Sequence, residues 1–121
     1  MVGLGTVLKS RHAPFHRWLI LSSPSETVSD VLLVSLTTLD DECKDDECIL
    51  SPEDYDDLDH KTAVAFSFKR IGPAKALNAA LAKGDFRELA PMPKAVLARI
   101  LKAAAKSDYL GEAHKALLGS A

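Results

Sequence analysis

Two apolar runs broken by a polar turn constrain what this chain can fold into. Trp18-Leu19-Ile20-Leu21 is followed by Ser22-Ser23-Pro24-Ser25 and then by an apolar, β-branched stretch over 28–36. That pattern predicts two strands joined by a loop. A short strand is predicted over 47–50 and a longer one over 62–71, where Val64, Phe66 and Phe68 alternate with Ala63, Ala65, Ser67 and Lys69. The alternation buries one side of that strand and leaves the other small or polar. Gly72-Pro73 ends the sheet in this reading.

Beyond Pro73 the spacing changes to that of helices. Residues 74–83 are alanine-rich with Leu77 and Leu81 four apart, a proline at the start and Gly84 placed as the C-cap,. Residues 93–106 put Val96, Leu97, Ile100, Leu101 and Ala104 on one face, with Lys94, Arg99, Lys102 and Lys106 elsewhere,. A short helix is predicted over 112–118. Strands first and helices after favour an α+β fold with a small antiparallel sheet or barrel over βαβ repeats. At 121 residues the chain fits one domain,, with the barrel over about 12–72 and the helical part over about 73–119.

Composition narrows the functional classes. Hydrophobic residues at 47% and charged residues at 26% exclude a disordered chain or a rod. No apolar run approaches the roughly 20 residues of a membrane helix, and residues 1–9 show no export signal, so a cytoplasmic protein with no membrane role is expected. The charge is unevenly placed: residues 40–59 hold 11 of the 17 acids and one base, Lys44, whereas residues 60–121 hold 11 of the 15 bases. A basic half suits either nucleic acid or a solvated helical surface.

Familiar chemical motifs are few. Gly3-Leu4-Gly5 lacks the later glycine and lysine of a phosphate loop,, and no nucleophile elbow is present. Cys43 and Cys48 stand among acids with His60 twelve residues on. No fourth ligand is evident, so neither metal nor cofactor is expected.

The polar flanks of the first two strands carry the chemistry. His16 and Arg17 open one strand, and Thr37 and Thr38 close the next. In an antiparallel hairpin these two ends are neighbours. A guanidinium beside a hydroxyl suits a phosphodiester, because the planar fork binds two oxygens and the hydroxyl donates to a third. The alternative is that Arg17 pairs with the acidic segment and the threonines cap a strand end.

These residues resemble the MazF/PemK (Kid/CcdB-like) toxins of bacterial type II toxin–antitoxin systems. The likeness runs over about 12–106: His16-Arg17-Trp18-Leu19-Ile20-Leu21-Ser22, a loop, a strand ending Thr37-Thr38, Cys48-Ile49-Leu50, Lys61-Thr62 through Ile71, and Glu88-Leu89-Ala90-Pro91 leading into the amphipathic helix. It departs from the family in Trp18, which replaces a proline, in the missing opening strand, and in the inserted helix at 74–83. The resemblance implies a small SH3-like antiparallel β-barrel followed by C-terminal helices, a homodimer and an antitoxin partner. It further implies metal-independent cleavage of single-stranded RNA through the RNA's own 2′-hydroxyl. Arg17 would stabilise the transition state, Thr37 or Thr38 would hold a phosphate oxygen, and His60 or His16 would move the proton. Thr62, Lys69 and Arg70 would add substrate contacts. The rival reading is an inactive barrel that binds a protein or peptide, favoured if the 40–59 loop covers Arg17.

Overall fold

The structure is a computed structural model, and it describes residues 1–39 and 45–119. Cys43 and part of the acidic segment lie outside the described residues. In chain order the elements are β1 (Val7–Ser10), β2 (Arg17–Ile20), β3 (Asp30–Thr38), β4 (Ile49–Leu50), β5 (Thr62–Pro73), α1 (Ala74–Lys83), β6 (Phe86–Glu88), α2 (Lys94–Lys106) and α3 (Glu112–Lys115). The strands form one antiparallel sheet in the order β4-β5-β3-β2-β1-β6, curled into a half-barrel. The fold is α+β.

Both faces of the central strands are covered, which is why β2 and β3 read as unbroken apolar runs rather than as alternating ones. Successive side chains point to opposite faces. Val7, Leu19, Leu32, Val34, Leu36, Val64 and Phe66 therefore join a core with Ile100 and Ala104 of α2. Leu8, Ile20, Val31 and Leu33 join a second cluster with Leu77 and Leu81 of α1. Burying Ile100 completely contributes about 1.5–3 kcal/mol. Gly84 closes α1 at φ 91°, a left-handed turn in which its N–H donates to Leu81 O and the Asp85 N–H to Ala80 O,.

The structure corrects several expectations. Residues 1–10 do contain a strand: β1 pairs with β2 through Val7↔Leu19 and Leu8↔Trp18, its two apolar side chains going one to each face. The sheet does not end at Gly72-Pro73. After α1, β6 returns to the outer edge of β1 through Leu8↔Glu88, so the division into a barrel over 12–72 and helices over 73–119 is crossed at both ends. Phe68 is 57% exposed rather than buried. Between the pairs Ser35↔Ala65 and Leu33↔Arg70, residues 66–69 of β5 face Val34 alone, and this bulge breaks the alternation. The last helix stops at Lys115 and continues only as turns. Among the described residues, no helix is long and apolar enough to cross a membrane.

Candidate functional site

Antiparallel register sorts the sequence candidates by face. Arg17 is paired with Leu36 and shares the α2 face with it, and Thr38, two residues further along β3, lies on that same face. Thr37 faces the other way, with its hydroxyl 3.0 Å from Ser35 Oγ. His16 is on that other side too, its ring edge-on to Trp18 with centroids 6.4 Å apart. Adjacent strand residues cannot share a face, so Thr37 and His16 do not join Arg17, which corrects the expectation that both threonines converge on it.

Three of the expected residues gather at this end of the sheet: Arg17, Thr38 and His60. His60 Nδ1 lies 2.5 Å from Asp59 Oδ1 and its Nε2 2.8 Å from Thr38 Oγ1. A carboxylate only accepts, so Nδ1–H donates to Asp59, while Nε2 accepts from the threonine hydroxyl when it carries no proton and donates to it when it does. The result is a carboxylate–imidazole–hydroxyl chain on the surface. Arg17 is engaged otherwise. Its Nε donates to Asp57 Oδ2 at 2.6 Å and its Nη2 to the Asp57 carbonyl at 3.2 Å, with the two side chains 23% and 33% exposed. A phosphate reaching this guanidinium would have to displace a carboxylate already seated on it.

The remaining candidates lie elsewhere. Thr62 is buried and its hydroxyl donates to the His60 carbonyl at 3.2 Å, so it supports the His60 backbone and does not face solvent. Arg70 pairs with Leu33, five residues along β3 from Thr38, which is roughly 17 Å at about 3.4 Å per residue. Lys69 and Arg70 are thus separated from the Arg17 end and could meet only a more distant part of an extended substrate.

The loop that delivers Asp57 is pinned at several points. Ser51 N–H donates to Asp54 Oδ2 at 2.9 Å, and Arg99 of α2 bonds Asp54 Oδ2 at 2.9 Å and the Ile49 carbonyl at 3.4 Å. The Arg99 guanidinium, helped by the Ser51 amide, holds the Asp54 carboxyl below its usual value. Tyr55 is buried and donates to the Ala90 carbonyl at 2.5 Å. Burial, with Asp57 as a further cause, pushes its phenol up to about 12. Burial also pushes the Cys48 thiol up, which makes it a core residue rather than a nucleophile.

Beside Asp57 the same loop borders a cleft of about 400 Å³, with Glu53, Tyr55 and Asp56 on one side and Leu89, Pro91 and Pro93 on the other. Among the described residues neither Glu53 nor Asp56 forms an ion pair within 4.0 Å, although Lys61 acts on Glu53 from further away. Among the described residues no group of three His, Cys, Asp or Glu side chains is placed to hold a metal ion. Asp57, Asp59 and Tyr55 were not picked out by sequence reasoning. Within a run of acids nothing distinguishes the carboxylate that folds back onto Arg17, although Tyr55 and Leu58, the apolar residues amid that run, mark where the loop touches the core. Compared with protein-family models, curated proteins and solved structures, the chain matches none.

Proposed function

We propose that this protein is a catalytically silent, SH3-like half-barrel of MazF/PemK type that binds a cationic segment of a protein partner in the cleft between the 53–57 loop and residues 89–93. The observation that carries this reading is the Asp57 carboxylate on the Arg17 guanidinium, which fills the position a phosphate would take and leaves the surroundings acidic. A polyanion is repelled there. A lysine or arginine suits the cleft, because its aliphatic stem packs on Leu89, Pro91 and Pro93 while its charged head meets Glu53 and Asp56,.

A specific observation favours a second reading, a metal-independent endoribonuclease. In the Asp59–His60–Thr38 chain the imidazole Nε2 would take the Thr38 hydroxyl proton as that hydroxyl takes one from an RNA 2′-hydroxyl, so Thr38 would relay the proton to the base. On that reading the protein is a homodimeric cytoplasmic toxin with an antitoxin partner, and His60 rather than Arg17 leads the chemistry.

One set of measurements separates the two. A fluorescein-labelled lysine/arginine-rich peptide is titrated by anisotropy against the wild type and against the Glu53→Gln/Asp56→Asn variant, and labelled single-stranded RNA is incubated with the wild type and with His60→Ala. Peptide binding that weakens about tenfold or more in the double variant, equivalent to about 1.4 kcal/mol, with intact RNA throughout, is the expected result. Peptide affinity indifferent to those two carboxylates overturns the first reading. RNA cleavage by the wild type that disappears in His60→Ala establishes the second.

A further inference from the structure

Among the described residues, half of β5 runs without a neighbouring strand on its outer side. β4 pairs with it only at Ala63 and Thr62. Just beyond, the Val64 N–H donates to the Cys48 carbonyl at 2.9 Å and the Ser67 N–H to Asp45 Oδ2 at 2.7 Å. From Phe68 to Pro73 no strand of the described residues lies along that edge, while the inner edge stays on β3 through Arg70↔Leu33, Ile71↔Leu32 and Gly72↔Val31. The side chains here are a mixture of apolar and basic. Phe68 is 57% and Ile71 42% exposed, and neither Lys69 nor Arg70 has an acidic partner among the described residues. Lys75 follows in the first turn of α1.

We propose that the outer edge of β5 over 68–72 takes up an extended acidic segment of a partner protein as an added strand. Strand addition draws its affinity from main-chain hydrogen bonds and its selectivity from the side chains flanking the edge. Open edges attract any extended chain, and basic residues are one of the devices that discourage self-pairing. A second copy laid antiparallel on this edge with Phe68 opposite Ile71 would set Lys69 against Arg70, a repulsive cross-strand pair. An acidic strand puts carboxylates in those places instead and is drawn to the edge by its charge, while its apolar side chains cover Phe68 and Ile71. The molecule itself shows the compatibility, since Asp45 already supplies a carboxylate to an outward N–H of this strand at Ser67.

The test uses the full chain and a fluorescein-labelled peptide of alternating glutamate and valine, with alternating lysine and valine as the charge-reversed control. Binding is followed by anisotropy, and amide hydrogen exchange locates it. The acidic peptide is expected to slow exchange over residues 68–72 and to lose about tenfold or more in affinity in Lys69→Glu/Arg70→Glu, whose far-ultraviolet circular dichroism matches the wild type; the basic peptide is expected to leave 68–72 unprotected and, where it binds, to slow exchange at 53–57 and 89–93. Slowed exchange by the acidic peptide confined to other residues, affinity indifferent to the charge reversal, or equal protection of 68–72 by the basic peptide overturns the proposal. So does a peptide-free dimer by light scattering that dissociates in the same variant, or oligouridylate binding at 68–72 in preference to the peptide.

Discussion

Replacing Tyr55 by phenylalanine removes one oxygen, and the structure states what that oxygen does: it donates to the Ala90 carbonyl across the cleft and joins the 53–57 loop to the segment ahead of α2. A net hydrogen bond contributes about 0.5–1.5 kcal/mol, and an acceptor stranded in the interior adds to the cost. Ala90 itself is exposed, so its carbonyl regains water and the estimate settles near 1 kcal/mol. With an unfolding entropy of about 2.1 cal/mol/K per residue over 121 residues, that corresponds to a fall in Tm of about 4 °C at neutral pH.

The phenol provides a second signature. Its pKa is raised from 10.0 to about 12 in the folded chain, so the unfolded tyrosine ionises first as the pH climbs. The stabilisation is complete below pH 10 and is lost between 10 and 12, at up to about 1.4 kcal/mol per pH unit. Phenylalanine has no such loss. Thermal unfolding at neutral pH, and urea unfolding at neutral pH and near pH 11, both followed by circular dichroism, give the two numbers. The wild type should lead at neutral pH, and the gap should narrow or reverse in alkali. An unchanged neutral Tm, or a gap of the same size at both pH values, refutes the reasoning.

Two further substitutions test the scaffold. Gly84→Ala meets nothing within 4 Å of its new Cβ, so its cost is the left-handed backbone at φ 91° alone, about 1–2 kcal/mol, read as a lower urea midpoint with an unchanged slope. Asp54→Asn should flatten the acid limb of stability. The Arg99 guanidinium depresses that carboxyl below 3.8, so its contribution is present above that value and disappears as pH falls through the lowered one. For a pair this exposed the loss is a few tenths to about 1 kcal/mol, measured as the difference between wild-type and variant urea midpoints from about pH 5 down to pH 2.

Most of the scaffold was legible in the residues, and the reasons are local. Gly84 and the Leu77–Leu81 spacing set the bounds of α1, and the stripe from Val96 to Ala104 set α2, because helical periodicity repeats often enough within one segment to be counted. β1 and β6 went unseen. A strand of four residues with two apolar ones, or of three with a single phenylalanine, has no period to detect, and pairing with β2 and with β1 decides them. At the site, the neighbourhood of Arg17 and Thr38 follows from hairpin logic, whereas His60 entered only through the family resemblance. Parity already forbids Thr37 and Thr38 from serving the same face, but which of the two meets Arg17 depends on register, and register depends on a turn whose geometry the residues do not spell out. Asp57 was hidden for another reason. Its approach to Arg17 comes from loop contacts at Ser51, Tyr55 and Arg99 that lie far apart in sequence.

The bulge in β5 leaves slack in the strand. Four residues span a gap that one residue spans on β3, so losing or gaining a residue at 68–69, beyond the buried Phe66 and the Ser67 N–H bonded to Asp45, alters chiefly the length of the excursion, and both flanks keep their partners. The same change between 62 and 65 would exchange the faces of Val64 and Ala63, both fully buried, and take Val64 out of the α2-side core,. Sequence drift can therefore reshape the exposed Phe68–Lys69 corner while the buried stretch beside it stays fixed.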